Sequence, residues 1–364
     1  MRFGQCVLAS LCIHIEIAKI IAVISITCKA QQARLQGRLL MPVYSLHFQF
    51  ANEQIPVCYA LLSQASLNLL KQLPMKRITN FFPSFCFILF FCMQANAQKL
   101  PVRWEEITAA DWNNALIKSN KTCILPIGIL EKHGPHVPVG SDLIRVREYA
   151  LRAAQKEYAV VFPDYFYGQI NEARHQPGVF ALPERVVWDL LEHTCDEIAR
   201  NGFTKIIIVN GHGGNPQLIK YFIQTRLEKE RNYAVYFFQP SSDSAFNKQV
   251  NALRRSDAEG DQHAGEKETS EVLYFRPDLV QLDSAKNESG KNLKRLSIPN
   301  VYTGIWWYAD FPNHYAGEGD KATVALGKLV AEHTINQLID AIKAIKSDDK
   351  TLKLQKEFFD RVKQ

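Results

Sequence analysis

Two short apolar runs, Cys123 to Leu130 and Ile206 to Val209, each stop abruptly at a loop rich in glycine and titratable side chains. The first loop reads Glu131-Lys-His133-Gly-Pro-His136-Val-Pro-Val-Gly-Ser-Asp142, the second Asn210-Gly-His212-Gly-Gly-Asn215. Short apolar runs bounded by turn signals are buried strands, so acids and imidazoles are delivered at strand ends. The stretches between them have helical spacing. Asp142 to Tyr158 carries apolar Leu143, Val146, Ala150 and Ala153 on one face. A helix is predicted from Pro183 to Asn201, with proline in its first turn and Gly202 just past its end. Another runs from Pro216 to Arg231, and brief strands are expected at Val160 to Phe162 and Tyr233 to Phe238. Strand, loop and helix in repeated order predict an α/β fold around a mostly parallel sheet. In such sheets ligands gather outside the carboxyl ends of the strands, where both loops lie. A helical stretch around Gly265 to Tyr274 comes next. The segment Asp320 to Ile345, with Val324, Leu326, Leu329, Val330, Ile335, Leu338, Ile339 and Ile342, is expected to pack on the sheet.

The front of the chain is of another kind. Residues 1–97 hold eight of the 43 Lys and Arg and two of the 37 Asp and Glu, so they carry the whole formal charge of +6 and the rest is neutral. The basic balance therefore gives no electrostatic footprint for nucleic acid in the folded part. Six of the eight cysteines also lie there, leaving Cys123 and Cys195, too few for a disulfide framework. Met75-Lys-Arg77, the apolar stretch Phe81 to Met93 and then Ala95-Asn-Ala97 form a charged start, a short apolar middle and small residues before a cut. That is the pattern of a secretory signal peptide cleaved after Ala97, and the apolar stretch is too short for a membrane span. The expected organisation is an extension over 1–74 that is spurious or disordered, a signal peptide over 75–97, and a single domain over 98–364. The mature chain is expected in the periplasm or outside the cell, with no membrane attachment after cleavage.

Hard and borderline divalent cations take carboxylate oxygen and imidazole nitrogen, and the two loops supply both. Glu131 and His133 are two apart on an extended segment and so point to one side. Asp142 either joins them as a third ligand or caps the helix that it opens. His212, flanked by glycines, has no bulky neighbours to pack against; a backbone nest for an anion is its competing reading. A third cluster, Asp261-Gln-His263-Ala-Gly-Glu266-Lys-Glu268-Thr-Ser270, is an ordinary charged turn taken alone. It gains meaning because the first two need a proton carrier and a further oxygen ligand. His136 is read as structural, His193 as a surface residue, Cys123 and Cys195 as buried hydrophobes, and Trp306-Trp307-Tyr308 as pocket lining or a subunit contact.

These three clusters, in this order and at these spacings, resemble the creatininase (creatinine amidohydrolase) family over about residues 102–345. The resemblance implies a three-layer α/β/α fold, a centre of one or two divalent ions, C–N bond hydrolysis and a homo-oligomer, often a hexamer. Carried over, Glu131, His133, Asp142 and His212 look like metal ligands, with Asp142 bridging two ions, and His263 looks like the proton donor to the leaving nitrogen. Zinc or manganese is the expected metal, with iron also compatible. One departure bears on the substrate. Creatininase has an aromatic residue and a metal-binding glutamate after the second-motif histidine, where this chain has Gly213 and Gly214. Glu268 is then the expected replacement ligand, with Glu266 behind it.

The expected chemistry is metal-assisted hydrolysis of a small cyclic amide, a formamide or a related substrate. Glu268 or Glu266 takes the proton from water, His263 passes one to the leaving group, and the N–H groups of Gly213 and Gly214 hold the developing oxyanion. The same ligands would serve C–C cleavage of a keto-cyclitol or keto-sugar. A secreted binding protein that keeps the fold and metal without turnover is the reading from another class. No Gly-x-Ser-x-Gly nucleophile elbow is present, which disfavours a serine hydrolase.

Overall fold

The computed structural model describes residues 100–363. The expected extension over 1–74 and the expected signal peptide over 75–97 lie outside the described residues. In chain order the elements are α1 (Trp112–Lys118), β1 (Thr122–Ile127), α2 (Ser141–Lys156), β2 (Val160–Val161), α3 (Glu184–Arg200), β3 (Lys205–Asn210), α4 (Pro216–Thr225), β4 (Ala234–Phe238), α5 (Ser244–Leu253), α6 (Glu266–Phe275), α7 (Trp306–Asp310), α8 (Val324–Ser347) and α9 (Thr351–Val362). Among the described residues no helix is long and apolar enough to cross a membrane.

The four strands form one sheet in the order β2-β1-β3-β4, and every pairing is parallel. β1 is buried along its whole length and β3 at all but its last residue, as continuous apolar runs covered on both faces should be. Pro126 is tolerated inside β1 because β2 ends at Val161. On that side Ile124 accepts from Phe162 and Gly128 donates to Tyr165, and no ladder bond is needed between them. β1 leads through α2 to β2 on one side, while β3 leads through α4 to β4 on the other. Right-handed crossovers running in opposite directions put α2 and α4 on opposite faces, giving three layers. α2, α6 and α8 pack together over β1 and β3. On the other face Trp188 of α3 meets Phe222 of α4 edge-on, with ring centroids 5.3 Å apart. The reversal of winding between β1 and β3 makes their carboxyl ends the switch point at which such sheets bind ligands.

Several element bounds differ from those expected from the sequence by a few residues. β1 stops at Ile127 instead of reaching Leu130, because Gly128 passes directly under α2. A Cβ there would stand 2.5 Å from the Cα of Leu143. α4 ends at Thr225, short of Arg231, where the Arg226 side chain turns back and donates to the Phe222 carbonyl. α8 begins at Val324, capped by the Thr323 hydroxyl, which accepts from the Leu326 N–H at 3.2 Å. Of its buried row, Ala331, Ile335, Leu338 and Ile342 join the core over the sheet, while Leu326 and Val330 pack with Val250 of α5.

The crossing of α8 over α6 is a backbone contact. A Cβ on Gly327 would lie 1.8 Å from the Ser270 carbonyl oxygen, so the helices can meet only if residue 327 has no side chain. Gly327→Ala is therefore expected to destabilise the fold by at least about 2 kcal/mol, within the range of overpacked cores, and to lower Tm by several degrees. An unchanged Tm in thermal denaturation would contradict this packing.

Candidate metal centre

The first motif turns back on itself. The Glu131 N–H donates to Val139 at 2.9 Å, His133 bridges Val137, and Gly134 takes the positive φ of 58° that the turn requires. Glu131 and His133 are thereby held on one side, both without solvent exposure. Asp142 reaches them because α2 starts unusually close to the sheet. Gly128 gives way to Leu143, and a Cβ on Gly211 would lie 2.5 Å from the Asp142 carbonyl oxygen. Asp142 does not cap the helix; Gly140 occupies that position without a side-chain bond. The Asp142 carboxylate instead faces the site.

Three of the expected residues converge most tightly. His212 Nδ1 lies 2.8 Å from Glu131 Oε1 and 3.2 Å from Asp142 Oδ2. Neither contact has the alignment of a hydrogen bond, and both oxygens lack any donor among the described residues. Two buried carboxylate oxygens and an imidazole nitrogen pointed at one another without protons in line are what a cation would satisfy. Their ligand atoms all lie within 4.8 Å of one another. Two further groups have the same spacing: His133 with Asp142 and Glu268, and Glu131 with His133 and His263. The residues present thus fit a divalent ion.

Electrostatics bind the cluster together. Burial alone would raise the Glu131 carboxyl, but the charge of His212 holds it well below the usual range. Burial pushes the His133 imidazole down, and Asp142, Glu131 and Glu268 overcome this to lift it to about 9. His212 is likewise driven well above its ordinary value against burial, chiefly by Glu131 and then Asp142. His263 goes the other way. Burial dominates and brings it to about 4, so it is neutral. Its Nε2 lies 3.0 Å from the Lys132 carbonyl, which must accept the ring proton. The lone pair is then on Nδ1, 3.8 Å from Glu268 Oε2. Despite burial, Glu268 is held at about 2, first by Arg145 and then by His263 and His133.

Glu266 does not join this group. Its carboxylate is fully buried on the far side of the α6 start, accepting the backbone N–H groups of Arg255 and Ser256. It ties that loop to the helix, and it is replaced as a site candidate by its neighbour one half-turn on. His136 is structural as expected, its Nε2 2.9 Å from the Thr269 hydroxyl.

Two site residues escaped the sequence reading. His314 Nε2 donates to Glu131 Oε2 at 2.6 Å, while Trp307 Nε1 donates to His314 Nδ1 at 2.8 Å and so fixes the tautomer. His314 sits in a loop at a positive φ of 55° with no neighbouring motif. Arg145 lies one turn beyond Asp142 on α2 and is 6% exposed. An arginine inside an apolar-periodic helix, with an acid at i−3, is a signal in the sequence that could have marked it. The cluster opens on a cavity of about 1170 Å³. Glu131, Asp142, His212, His263, Glu268 and His314 line its floor, Gly213 and Gly214 one edge, and Tyr302 and Trp306 to Tyr308 a wall.

Comparison with known proteins agrees with this geometry. The family model described as Creatininase: Creatinine amidohydrolase matches residues 105–342. Creatinine amidohydrolase of Pseudomonas putida is 27% identical over 190 residues, which cover 49% of this chain and 73% of that protein. The mycofactocin precursor peptide peptidase of Mycolicibacterium smegmatis is 25% identical over 232 residues, 62% of this chain and 85% of that one. Solved creatininases of a zinc–zinc type and a manganese form each superimpose with a TM-score of 0.58 at 22% identity, covering 69% and 68% of this chain and all of theirs. With this fold, these motifs and a match across most of its length, the chain belongs to the creatininase family, whose members are metal-dependent amidohydrolases.

Proposed function

We propose that this protein hydrolyses a C–N bond with the help of a divalent ion, zinc or manganese, held by Glu131, Asp142 and His212. The observation that carries this reading is the pair of buried, donorless oxygens, Glu131 Oε1 and Asp142 Oδ2, gathered around His212 Nδ1 at the floor of an open cavity. An ion bound there would supply Lewis acidity and a water that ionises near neutral pH. The remaining work falls to the chain. His263 is neutral with its lone pair on Nδ1, so it accepts a proton at that atom and returns it to the leaving nitrogen. Glu268, held as a carboxylate 3.8 Å from that atom, favours the protonated form of the ring as the proton arrives. His314, set by Trp307, holds Glu131 Oε2 and leaves Oε1 for the ion.

The cavity favours a substrate larger than a single small ring. At about 1170 Å³ it exceeds the roughly 300–1,000 Å³ of common small-ligand clefts. Its aromatic wall and the side-chain amides of Gln169 and Gln217 suit an extended amide such as a peptide end. The similarity to a mycofactocin precursor peptide peptidase supports the same reading. The exposed apolar residues Val301, Tyr302 and Ile305 beside the cavity mouth support a homo-oligomer. Export with cleavage after Ala97 is part of the same proposal, resting on the charge and apolar pattern of residues 75–97.

Chelator treatment is expected to abolish turnover in a screen of short peptides, cyclic amides, formamides and keto-cyclitols, and zinc or manganese to restore it. Asp142→Asn should reduce the restored rate by at least about 100-fold, the loss seen even for outer-shell partners of metal ligands. Full activity in the ion-free protein would refute the mechanism.

Ion uptake should also release protons. The cation must displace the proton from the His212 imidazole that would hold it, whose pKa lies well above 6.5. Apparent affinity is therefore expected to rise with pH from neutrality upward, by as much as about tenfold per unit for the one proton displaced. Ion-free protein should show the opposite trend. A His133 pKa raised from 6.5 to about 9 on folding contributes stability that is complete below the lower value and lost as pH rises through the upper one. Calorimetry in buffers of different ionisation enthalpy measures the first effect, and denaturation against pH the second. Finally, N-terminal sequencing of the exported protein should begin at Gln98; a chain retained in the cytosol with residues 75–97 intact would reject the export proposal.

A further inference from the structure

Within the reading of the site as a metal centre, we infer that the chain binds a single ion, because the Arg145 guanidinium fills the place of a second cation between Asp142 and Glu268. Arg145 Nη2 donates to Asp142 Oδ1 at 2.7 Å, to Glu268 Oε1 at 2.9 Å and to the Gly211 carbonyl at 3.1 Å. Its Nη1 donates to Glu271 Oε2 at 3.1 Å, and Glu271 in turn accepts from the Tyr149 hydroxyl. The side chain is buried and anchored from behind, so it cannot swing out to admit an ion. A guanidinium also cannot discharge at any pH a protein survives, so the positive charge is permanent.

The three groups of potential ligands differ in what already occupies their atoms. In the group of Glu131, Asp142 and His212, the carboxylate oxygens that face the imidazole have no donor. In the group of His133, Asp142 and Glu268, Asp142 Oδ1 accepts from Arg145, and Glu268 is taken at both oxygens, by Arg145 and by the Ala264 N–H at 2.8 Å. In the group of Glu131, His133 and His263, Glu131 Oε2 accepts from His314 and the Nε2 of His263 faces the Lys132 carbonyl. Access differs as well. All three members of the first group line the cavity, whereas His133, which belongs to both of the others, does not, and neither does Arg145. A second divalent ion would have to break two charge-assisted hydrogen bonds and then sit next to the arginine. A charged, bidentate-capable donor already there is the stronger competitor. Arg145 is thus a positioning residue: it holds Asp142 so that Oδ2 faces His212, and it keeps Glu268 ionised beside His263.

Titrating the ion-free full chain with Zn²⁺ alone and Mn²⁺ alone, with elemental analysis after gel filtration, tests this directly. The wild-type chain should take up one ion, and its manganese form should give the spectrum of an isolated ion rather than a coupled pair. Arg145→Met, which keeps the bulk and removes the charge, should take up two. Glu268→Gln should keep one, with affinity within about tenfold of wild type, the size of an outer-shell effect. Two ions in the wild-type chain, a Met variant that stays at one, or loss of the ion on Glu268→Gln would each overturn the inference. Should the Met variant fail to show a cooperative thermal transition, the wild-type and Glu268→Gln stoichiometries still decide. A wild-type chain that binds neither metal would instead remove the metal-centre reading beneath it.

Discussion

Everything at this site depends on two carboxylates, Glu131 and Asp142, being buried side by side with almost no solvent exposure. Like charges out of water repel and lose their hydration, so such a pair survives only inside a shell of cations and donors. The shell here is His212, His133, His314 and Arg145, which come from four separate stretches of chain. What brings the two acids together is the close approach of α2 to the ends of β1 and β3. Gly128 and Gly211 allow it, since a side chain at either would collide with the first turn of that helix. Backbone proximity and charge balance are thus one constraint.

The topology explains why that approach occurs where it does. β1 and β3 are neighbours whose connections wind in opposite directions, so the loops leaving them part and open a crevice. The loop after β1 contributes Glu131 and His133, and the loop after β3 contributes His212. The start of α6 and the loop before α8 close the crevice from the side with His263, Glu268 and His314. Trp307 on α7 braces the last of these. An aromatic pair that stands in the cavity wall therefore also sets the tautomer of an imidazole on its floor.

Within the cluster the charges are distributed unevenly. One end, around His212, has carboxylate oxygens without donors and faces the cavity. At the other, around Arg145, Asp142 Oδ1 and both Glu268 oxygens already accept hydrogen bonds. Gly214 belongs to the open end: a side chain there would meet the His212 ring, with a Cβ 2.5 Å from its Nε2. Gly214 thus makes room for the imidazole beside its own loop, whereas a Cβ at Gly213 would meet nothing within 4 Å.

The strand-loop-helix alternation, the parallel sheet and the gathering of acids and imidazoles at strand ends were legible from local pattern. They rest on periodicity and on the residue types that come directly after an apolar run, both of which are properties of chain neighbours. The same is true of Glu131, His133, Asp142 and His212, marked by glycine-rich loops directly after strands. His314 could not be ranked in that way, because a lone histidine in a loop means nothing until its surroundings are known, and Arg145 offers only the weaker local signal of an arginine with an acid at i−3 on an apolar-periodic helix. Glu266 and Glu268 show the limit most clearly. Two residues apart in one motif, they carry the same group and only the family resemblance ranks Glu268 first, yet α6 turns one toward the Arg255 and Ser256 amides and the other toward His263. Sequence alone determined which residue types would meet at the sheet's edge; tertiary structure alone decided which oxygens were left without a proton donor, because hydrogen-bond saturation depends on atoms contributed from distant parts of the chain.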